Sequence, residues 1–517
     1  ISFNQDIGSW NTAAVTNMNQ MFDMATSFNN GGNSNIKNWD TSSVTNMDGM
    51  FHDAFEFSAD ISTWCVENID NLPNDFVNAN NNSLTSDSYP IWGTCSNSAT
   101  GAEAPASGDG SIDSPYQINT FSHLLWISED NTRWDKHYIQ TADINAGLTQ
   151  NSNNGSGWSP IGNVSTGFTG SYDGKNFEIY DLYINRPTED YIGLFGEIKS
   201  TYNSNVLIQN IVLEGGDIKG GGYVGAIVGN AEGYNENSNI IFSTIRVRTS
   251  VEGNYRVGGL AGRIHNYSLI EKSSFDGEVI GEVGDSSDYQ AIGGLVGQLS
   301  FRSDVSQSYT TGSVNGNYMV GGLIGQNTYS NLKNNYSRSS VTAAYNAVGG
   351  LIGWDQVDAD NSGRINNFST GSVSLISSNP GIGGLIGYQS IEYCDDCTLE
   401  GSYNYWSTGL SGISDSSDNE IDNNIEADDL KNQSIYSEWD FDSTWIMTGN
   451  VNNGYPFLRG NNDIDLNDIS INQTNDELTL VFNWPLYNDD DQDLTTQDLE
   501  FELSGGNAVS GAASVGL

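Results

Sequence analysis

Apolar residues and glycine combine in a short phrase that recurs through the second half of this 517-residue chain. It reads Val224-Gly225-Ala226-Ile227-Val228-Gly229, then returns at Val257 to Gly262, Ile292 to Gly297, Val320 to Gly325, Val348 to Gly353 and Ile382 to Gly387, with a looser copy from Ile192 to Gly196. From first residue to first residue the steps are 32, 33, 35, 28, 28 and 34. A period in that range marks stacked units that contact mainly their neighbours. Glycines set among Val, Ile and Leu predict a short buried strand whose neighbours above and below approach too closely for a Cβ. A second phrase falls in the gap, at Ser308 to Val314, Asn335 to Val341 and Asn367 to Val373, and its period-2 alternation predicts a half-buried strand. Two or three strands per unit, joined by Asn, Gly and Ser turns, make one coil of a β-helix and leave no room for a helix.

The first hundred residues follow another pattern. Phe3-Asn4-Gln5-Asp6-Ile7, Trp10-Asn11-Thr12 and Val15-Thr16-Asn17-Met18 recur as Phe28-Asn29, Ile36, Trp39-Asp40-Thr41 and Val44-Thr45-Asn46-Met47, fading after Ile61 and Trp64. The tryptophans are 29 and 25 residues apart. Val15, Met18, Phe22 and Ala25 sit three or four apart, as do Val44, Met47, Phe51 and Ala54. That spacing predicts a short amphipathic helix after each strand, hence a leucine-rich-repeat-like coil.

The Gly-Gly phrases resemble the GLUG motif of large bacterial surface and secreted proteins. Ser114-Pro115-Tyr116-Gln117-Ile118, Thr141-Ala142-Asp143-Ile144 and Ser159-Pro160-Ile161-Gly162 resemble the segment that opens such β-helices, and Asn453-Gly454-Tyr455-Pro456-Phe457-Leu458 their usual close. The N-terminal units are similar to the BspA-like surface repeats. That resemblance implies a terminal cap at residues 64–66 and 90–95 closed by a Cys65–Cys95 disulfide. The predicted organisation is mainly β: an array over 1–96, a Ser/Ala/Gly-rich linker over 97–111, a β-helix over 112–460, and a module over 461–517. In that module Leu478 to Phe482 and Leu499 to Leu503 alternate as strands around the acidic turn at 488–493, which looks like the start of an immunoglobulin- or cadherin-like sandwich. The chain starts inside a repeat, so further repeats and a secretion signal are expected upstream.

Sixty-five acidic residues against 18 basic ones give a formal net charge of −47, with charged residues only 16% of the chain. Such a surface repels nucleic acid and anionic lipid and suits salt water, where screening weakens self-repulsion. No run of 18 apolar residues is present, so no transmembrane helix is expected. The four cysteines fall into close pairs, Cys65/Cys95 and Cys394/Cys397, as expected in an oxidising compartment. Cys394-Asp395-Asp396-Cys397 has redox or zinc-knuckle spacing, but two intervening aspartates would raise a thiol pKa and no second such motif is present; a turn-stapling disulfide fits better.

Catalytic signals are weak. Parallel β-helices include polysaccharide-degrading enzymes that cluster carboxylates on one sheet face. Here Asp285, Asp288, Asp304, Asp358 and Asp360 are scattered among turns, and His52, His123, His137 and His265 are isolated in sequence. No cofactor is required. Calcium is the one metal the sequence suggests, at Asp463, Asp465 and Asp468 and at Asp489, Asp491 and Asp493; a repelling turn fits the same residues. Tyr223, Tyr255, Tyr289, Tyr318 and Tyr345 each precede a Gly-Gly phrase by one to three residues. An aromatic column there serves either internal packing or the stacking of sugar rings. The expectation is a non-enzymatic secreted or cell-surface adhesin binding extracellular glycan or a surface protein. The family resemblance implies a Bacteroidetes-like source and type IX export, with outer-membrane secretion-channel components as partners. A β-helix polysaccharide-degrading enzyme and a passive spacer are the alternatives.

Overall fold

The computed structural model describes residues 3–93 and 102–281, then 290–357, 363–376, 381–391, 403–407, 422–459, 466–471 and 478–482, with short gaps in the first and the 422–459 stretches. The chain divides into two compact units, Ile1–Asn424 and Ile425–Leu517. The first contains both repeat arrays.

In the N-terminal array each repeat lays its aromatic rings on those of the next. Trp10, Trp39 and Trp64 stack at 6.4 and 6.0 Å, Phe3, Phe28 and Phe57 at 5.7 Å per step, and Phe22 on Phe51 at 5.5 Å. The indole N–H of Trp39 donates to the Ile7 carbonyl and that of Trp64 to the Ile36 carbonyl, both at 3.0 Å, so each buried ring also satisfies a backbone group one repeat away.

The expected amphipathic helix does not form. Between Val15 and Ala25 the backbone N–H groups of Met18, Gln20, Phe22 and Met24 donate to the carbonyls of Asn46, Asp48, Met50 and His52 at 2.8 to 2.9 Å. Those donors are spent on the next repeat and cannot close a helical turn. Gln20 and Met24 sit at φ 54° and 58°, left-handed conformations that a right-handed helix excludes. The three-to-four spacing of Val15, Met18, Phe22 and Ala25 arises instead from consecutive turns that bury Met18, Phe22 and Ala25 on one side.

From residue 116 onward the chain coils into a β-solenoid whose repeats contribute to three parallel sheets, of nine, seventeen and seven strands among the described residues. One coil shows the path. Phe195–Lys199 lies in the third sheet, Val206–Gln209 in the first, and Val212–Gly220 with Gly222–Val224 in the second, before Val228–Glu232 returns to the third. Among the described residues the strand pairs of these sheets are parallel and mostly in register, for example Val228 with Phe195 and Ala261, with shifts between Arg248 and Ser250 and between Gly316 and Tyr318. Val, Ile, Leu and Phe from all three sheets merge into one core, with Ile198, Ile208, Leu213, Ile264 and Ile292 fully buried.

The Gly-Gly phrase differs from the expected single strand. Val320 and Gly321 end a second-sheet strand, Gly322 and Leu323 form the corner, and Ile324 and Gly325 begin a third-sheet strand. The close approach itself holds. A Cβ on Gly322 would lie 2.1 Å from the Gly350 carbonyl oxygen of the next coil, and one on Gly325 2.3 Å from the Ile292 backbone nitrogen. Before the second phrase, polar side chains satisfy the backbone at the other corner. Asn335, Asn367 and Asn404 are fully buried, and their side-chain carbonyls accept from the backbone N–H of Ser308, Asn335 and Asn367, each at 3.0 Å.

The solenoid opens with a helix the sequence reading did not foresee. Thr120 caps Phe121–Ser128, its hydroxyl accepting from the His123 N–H at 3.3 Å, and Phe121, Leu124 and Ile127 are buried against the first coils. At the far end the inward column that holds Ile198, Ala231, Ile264 and Leu299 turns polar at Asn327, Asp355 and Gln389. Arg364 reaches into the core there and forms a two-pronged ion pair with Asp355, both side chains all but inaccessible.

The second unit holds two antiparallel pairs, Trp445–Ile446 with Phe457–Leu458 and Leu466–Ile471 with Leu478–Phe482. The expected strand at 499–503 and the acidic turn at 488–493 lie outside the described residues.

Candidate functional site

Parallel in-register stacking places equivalent residues of successive coils above one another, so whatever follows the last glycine of each phrase forms a column. Glu197, Asn230, Arg263 and Gln298 are paired in that order across the third sheet, and Gln326, Trp354 and Tyr388 continue it. Strand alternation turns the following residues, such as Ile198, Ile264 and Leu299, into the core, so this column faces outward. Its exposure increases along the axis, from Glu197 at 2% to Tyr388 at 41%.

A second set of residues leans over the buried end of the column. Tyr191, Tyr223 and Arg256 each stand immediately before a phrase and adopt φ of 64°, 51° and 51°. For bulky side chains these left-handed conformations are costly, about 1–3 kcal/mol each, and persist only where the surroundings hold them. Here they swing the side chains onto the column. The Tyr191 and Tyr223 rings stack at 4.7 Å and 6° from parallel, and Tyr255 meets Tyr223 edge-on at 5.5 Å. The Arg256 guanidinium lies 4.9 Å from the Tyr223 centroid and that of Arg263 5.2 Å.

Hydrogen bonds fix these side chains. Arg256 Nε donates to Gln298 Oε1 at 2.7 Å and its Nη1 to the Tyr223 hydroxyl at 3.1 Å. Arg263 Nε donates to Asn230 Oδ1 at 2.6 Å, Asn230 Nδ2 to Glu197 Oε1 at 2.8 Å, and Gln298 Nε2 to Gln326 Oε1 at 2.8 Å. The Tyr255 hydroxyl donates to Asp190 Oδ2 at 2.6 Å. Glu197 Oε1 lies 3.4 Å from the Lys199 ammonium, while its Oε2 is buried with no hydrogen-bond partner among the described residues. Burial pushes the Glu197 carboxyl above the usual range, against the opposing pull of Asn230 and Lys199. Farther along the axis Trp354 and Tyr388 form a second aromatic platform, edge-on at 5.1 Å.

The tyrosines singled out from sequence divide into two groups. Tyr223 and Tyr255 belong to the site, whereas Tyr318 and Tyr345 stack on each other at 5.0 Å on the second sheet, where the register between Gly316 and Tyr318 shifts. Tyr289 lies outside the described residues. Tyr191, Arg256, Arg263, Trp354 and Tyr388 were missed; aligning the phrases and reading the position after the last glycine, and the one before the first apolar residue, would have found them.

Few of the remaining candidates fall among the described residues. Cys65 is buried, while Cys95, Cys394 and Cys397 lie outside the described residues, as do Asp463, Asp465, Asp489, Asp491 and Asp493. Asp468 lies in the strand Leu466–Ile471. Asp304 accepts from Asn331 at 2.8 Å. His52 contacts Asp23 at 2.9 Å, and His137 and His265 contact Ser171 and Ser300, each at 2.8 Å. Among the described residues no three His, Cys, Asp or Glu side chains come together as a metal site, and no helix is long and apolar enough to cross a membrane.

Comparison with known proteins adds family context. Residues 1–89 match the family described as "Mycoplasma protein of unknown function, DUF285", and residues 253–280 match the GLUG motif. The chain is similar to halomucin of Haloquadratum walsbyi, 35% identical over 180 residues, which is 34% of this chain and 2% of that protein. It is also similar to an immunoglobulin A1 protease of Streptococcus sanguinis, 28% identical over 271 residues, 52% of this chain and 12% of that protein. The chain thus spans only a small part of these relatives. A crystal structure of a candidate immunoglobulin A1 protease from Bacteroides ovatus aligns with a TM-score of 0.45 and 16% identity, covering 69% of this chain and 95% of that one.

Proposed function

We propose that this chain is part of a secreted or cell-surface repeat protein of adhesin type, whose solenoid binds extracellular glycan and performs no chemistry on it. The observation that carries this reading is the outward column of the third sheet, where hydrogen-bonded amides run between two aromatic platforms. Aromatic faces and amide groups suit sugar rings and hydroxyls, and glycan recognition needs no cofactor. The GLUG motif and the halomucin similarity support a surface setting. In this reading the cysteines pair as Cys65–Cys95 and Cys394–Cys397, calcium binds at the acidic residues after 460, and export uses a type IX channel of a Bacteroidetes-like outer membrane.

The test is retention of the full 517-residue chain on a panel of immobilised glycans, with and without calcium, with the chain length of each glycan measured afterwards. Retention of intact glycan supports the reading. Shortened glycan refutes it in favour of a polysaccharide-degrading enzyme. The similarity to an immunoglobulin A1 protease favours a second reading, in which the solenoid is an arm of a larger peptidase. Cleavage of immunoglobulin A1 by the protein carrying this chain would support that.

A further inference from the structure

We propose, resting on the glycan-binding reading above, that the column from Arg263 to Tyr388 is an axial track for one uncharged, linear polysaccharide lying parallel to the solenoid axis. Three observations point to this ligand and this direction.

The first is spacing. Adjacent parallel strands lie about 4.7–4.9 Å apart, close to the length of one sugar ring in an extended chain. Glu197 and Asn230 are buried at 2% and 1%, which leaves five accessible rungs from Arg263 to Tyr388, hence four steps of about 4.8 Å, or about 19 Å. A linear glycan therefore meets one outward side chain at each residue, which a ligand crossing the coils would not.

The second is the order of side chains. Stacked Tyr191 and Tyr223 stand at one end, Trp354 and Tyr388 at the other, and Gln298 and Gln326 join hands between them at 2.8 Å. Tyr191 and Tyr223 face each other and the two arginines, so they offer ring edges and hydroxyl groups, while Trp354 and Tyr388 offer apolar ring surface to pyranose C–H groups. The amides between them carry both donors and acceptors, as hydroxyl groups require.

The third is charge. A chain of net charge −47 opposes a polyanion along any extended contact. The two arginines of the site do not reverse this. Arg256 is held by Gln298 and the Tyr223 hydroxyl, Arg263 by Asn230, and both guanidinium planes lie over the Tyr223 ring. They brace the platform and add N–H donors for hydroxyl oxygens.

The test uses the full chain and soluble oligosaccharide ladders of an uncharged glucan, a mannan and a xylan, with a polyuronate ladder as the charged control, measured by calorimetric titration. Affinity for one uncharged ladder should rise with length up to about five sugars and then level off. Tyr223→Ala and Trp354→Ala should each weaken the longest ligand about ten-fold, and Gln326→Ala about three-fold with an unchanged melting temperature. Tyr202→Ala, at a turn where the ring is 71% exposed, should change nothing. Affinity independent of length, or insensitive to both Trp354→Ala and Gln326→Ala, overturns the track while leaving glycan binding intact. Preference for the polyuronate overturns the ligand class. Failure to bind any glycan sinks both this inference and the adhesin reading.

Discussion

Replacing Gly322 by alanine probes the corner that joins the second and third sheets. The added Cβ would lie 2.1 Å from the Gly350 carbonyl oxygen in the next coil and 2.1 Å from Ser337 Oγ. The serine can rotate away but the carbonyl is backbone. Relieving the contact to the 3.0 Å that real Cβ atoms respect means moving the coils apart by 3.0 − 2.1, or about 0.9 Å. Three hydrogen bonds cross that gap: Gly322 N–H to the Gly349 carbonyl at 3.2 Å, and Leu323 and Ile324 N–H to the Leu351 carbonyl at 2.8 and 2.9 Å. Stretched by that amount they contribute little, and at about 0.5–1.5 kcal/mol each the loss is about 3 kcal/mol. Gly363→Ala is the internal control, because its Cβ would meet nothing closer than Asn331 Oδ1 at 3.5 Å. Denaturant unfolding of both variants, with amide exchange to localise the damage, checks the difference. Solenoid stability is a sum of unit and nearest-neighbour terms, so lost protection should centre on the coils around Gly322 and Gly350. If Gly322→Ala unfolds with the same midpoint as Gly363→Ala, the corner geometry described here is wrong.

Arg364→Met removes the cationic partner of Asp355 in the core and leaves its carboxyl only Asn327 and Gln389, so a loss of about 3–5 kcal/mol is expected in urea unfolding; adding Asp355→Asn should restore most of it. Trp39→Ala removes a buried ring, both its stacking neighbours and its bond to Ile7, and should destabilise the N-terminal array by about 3–5 kcal/mol, read by the melting of that array. Glu197 is one of three carboxyls among the described residues, with Asp181 and Asp304, that burial raises above the ordinary value. Its stabilising contribution is fully present below the unfolded pKa of about 4.3 and is lost as pH rises through the folded value. Glu197→Gln should therefore make the fall in stability above about pH 4 shallower and leave the protein at least as stable as wild type at pH 7; a variant less stable at pH 7 would contradict the direction of the shift.

The solenoid was legible because its period is carried by residues that admit few alternatives. Glycines at Gly321, Gly322 and Gly325 marked the close approach of coils, and the alternation of Tyr309, Val314 and their counterparts marked a strand. Strand count per phrase was not legible, since a corner and a buried strand share the same apolar and glycine-rich composition. The N-terminal array misled for a definite reason: Gln20 and Met24 in left-handed conformations break a pattern that otherwise has helical spacing, and neither residue type announces φ above zero. Of the site, Tyr223 and Tyr255 were visible. Arg263 and Trp354 stayed hidden because the residues after the last glycine share neither type nor charge, only that position, and Arg256 because it replaces the tyrosine that stands before the two preceding phrases. Their meaning comes from register, which stacks unlike residues into one surface.

The most direct measurement is hydrogen–deuterium exchange of the full chain with and without a saturating soluble, uncharged oligosaccharide from the ladder that binds. Protection should gather on the third-sheet strands from Ala261–His265 to Ile386–Ile391 and on the residues around Tyr191, Tyr223 and Arg256, with the first sheet unchanged. Protection confined to the N-terminal array or to the first sheet would contradict the assignment of the outward column as the binding face.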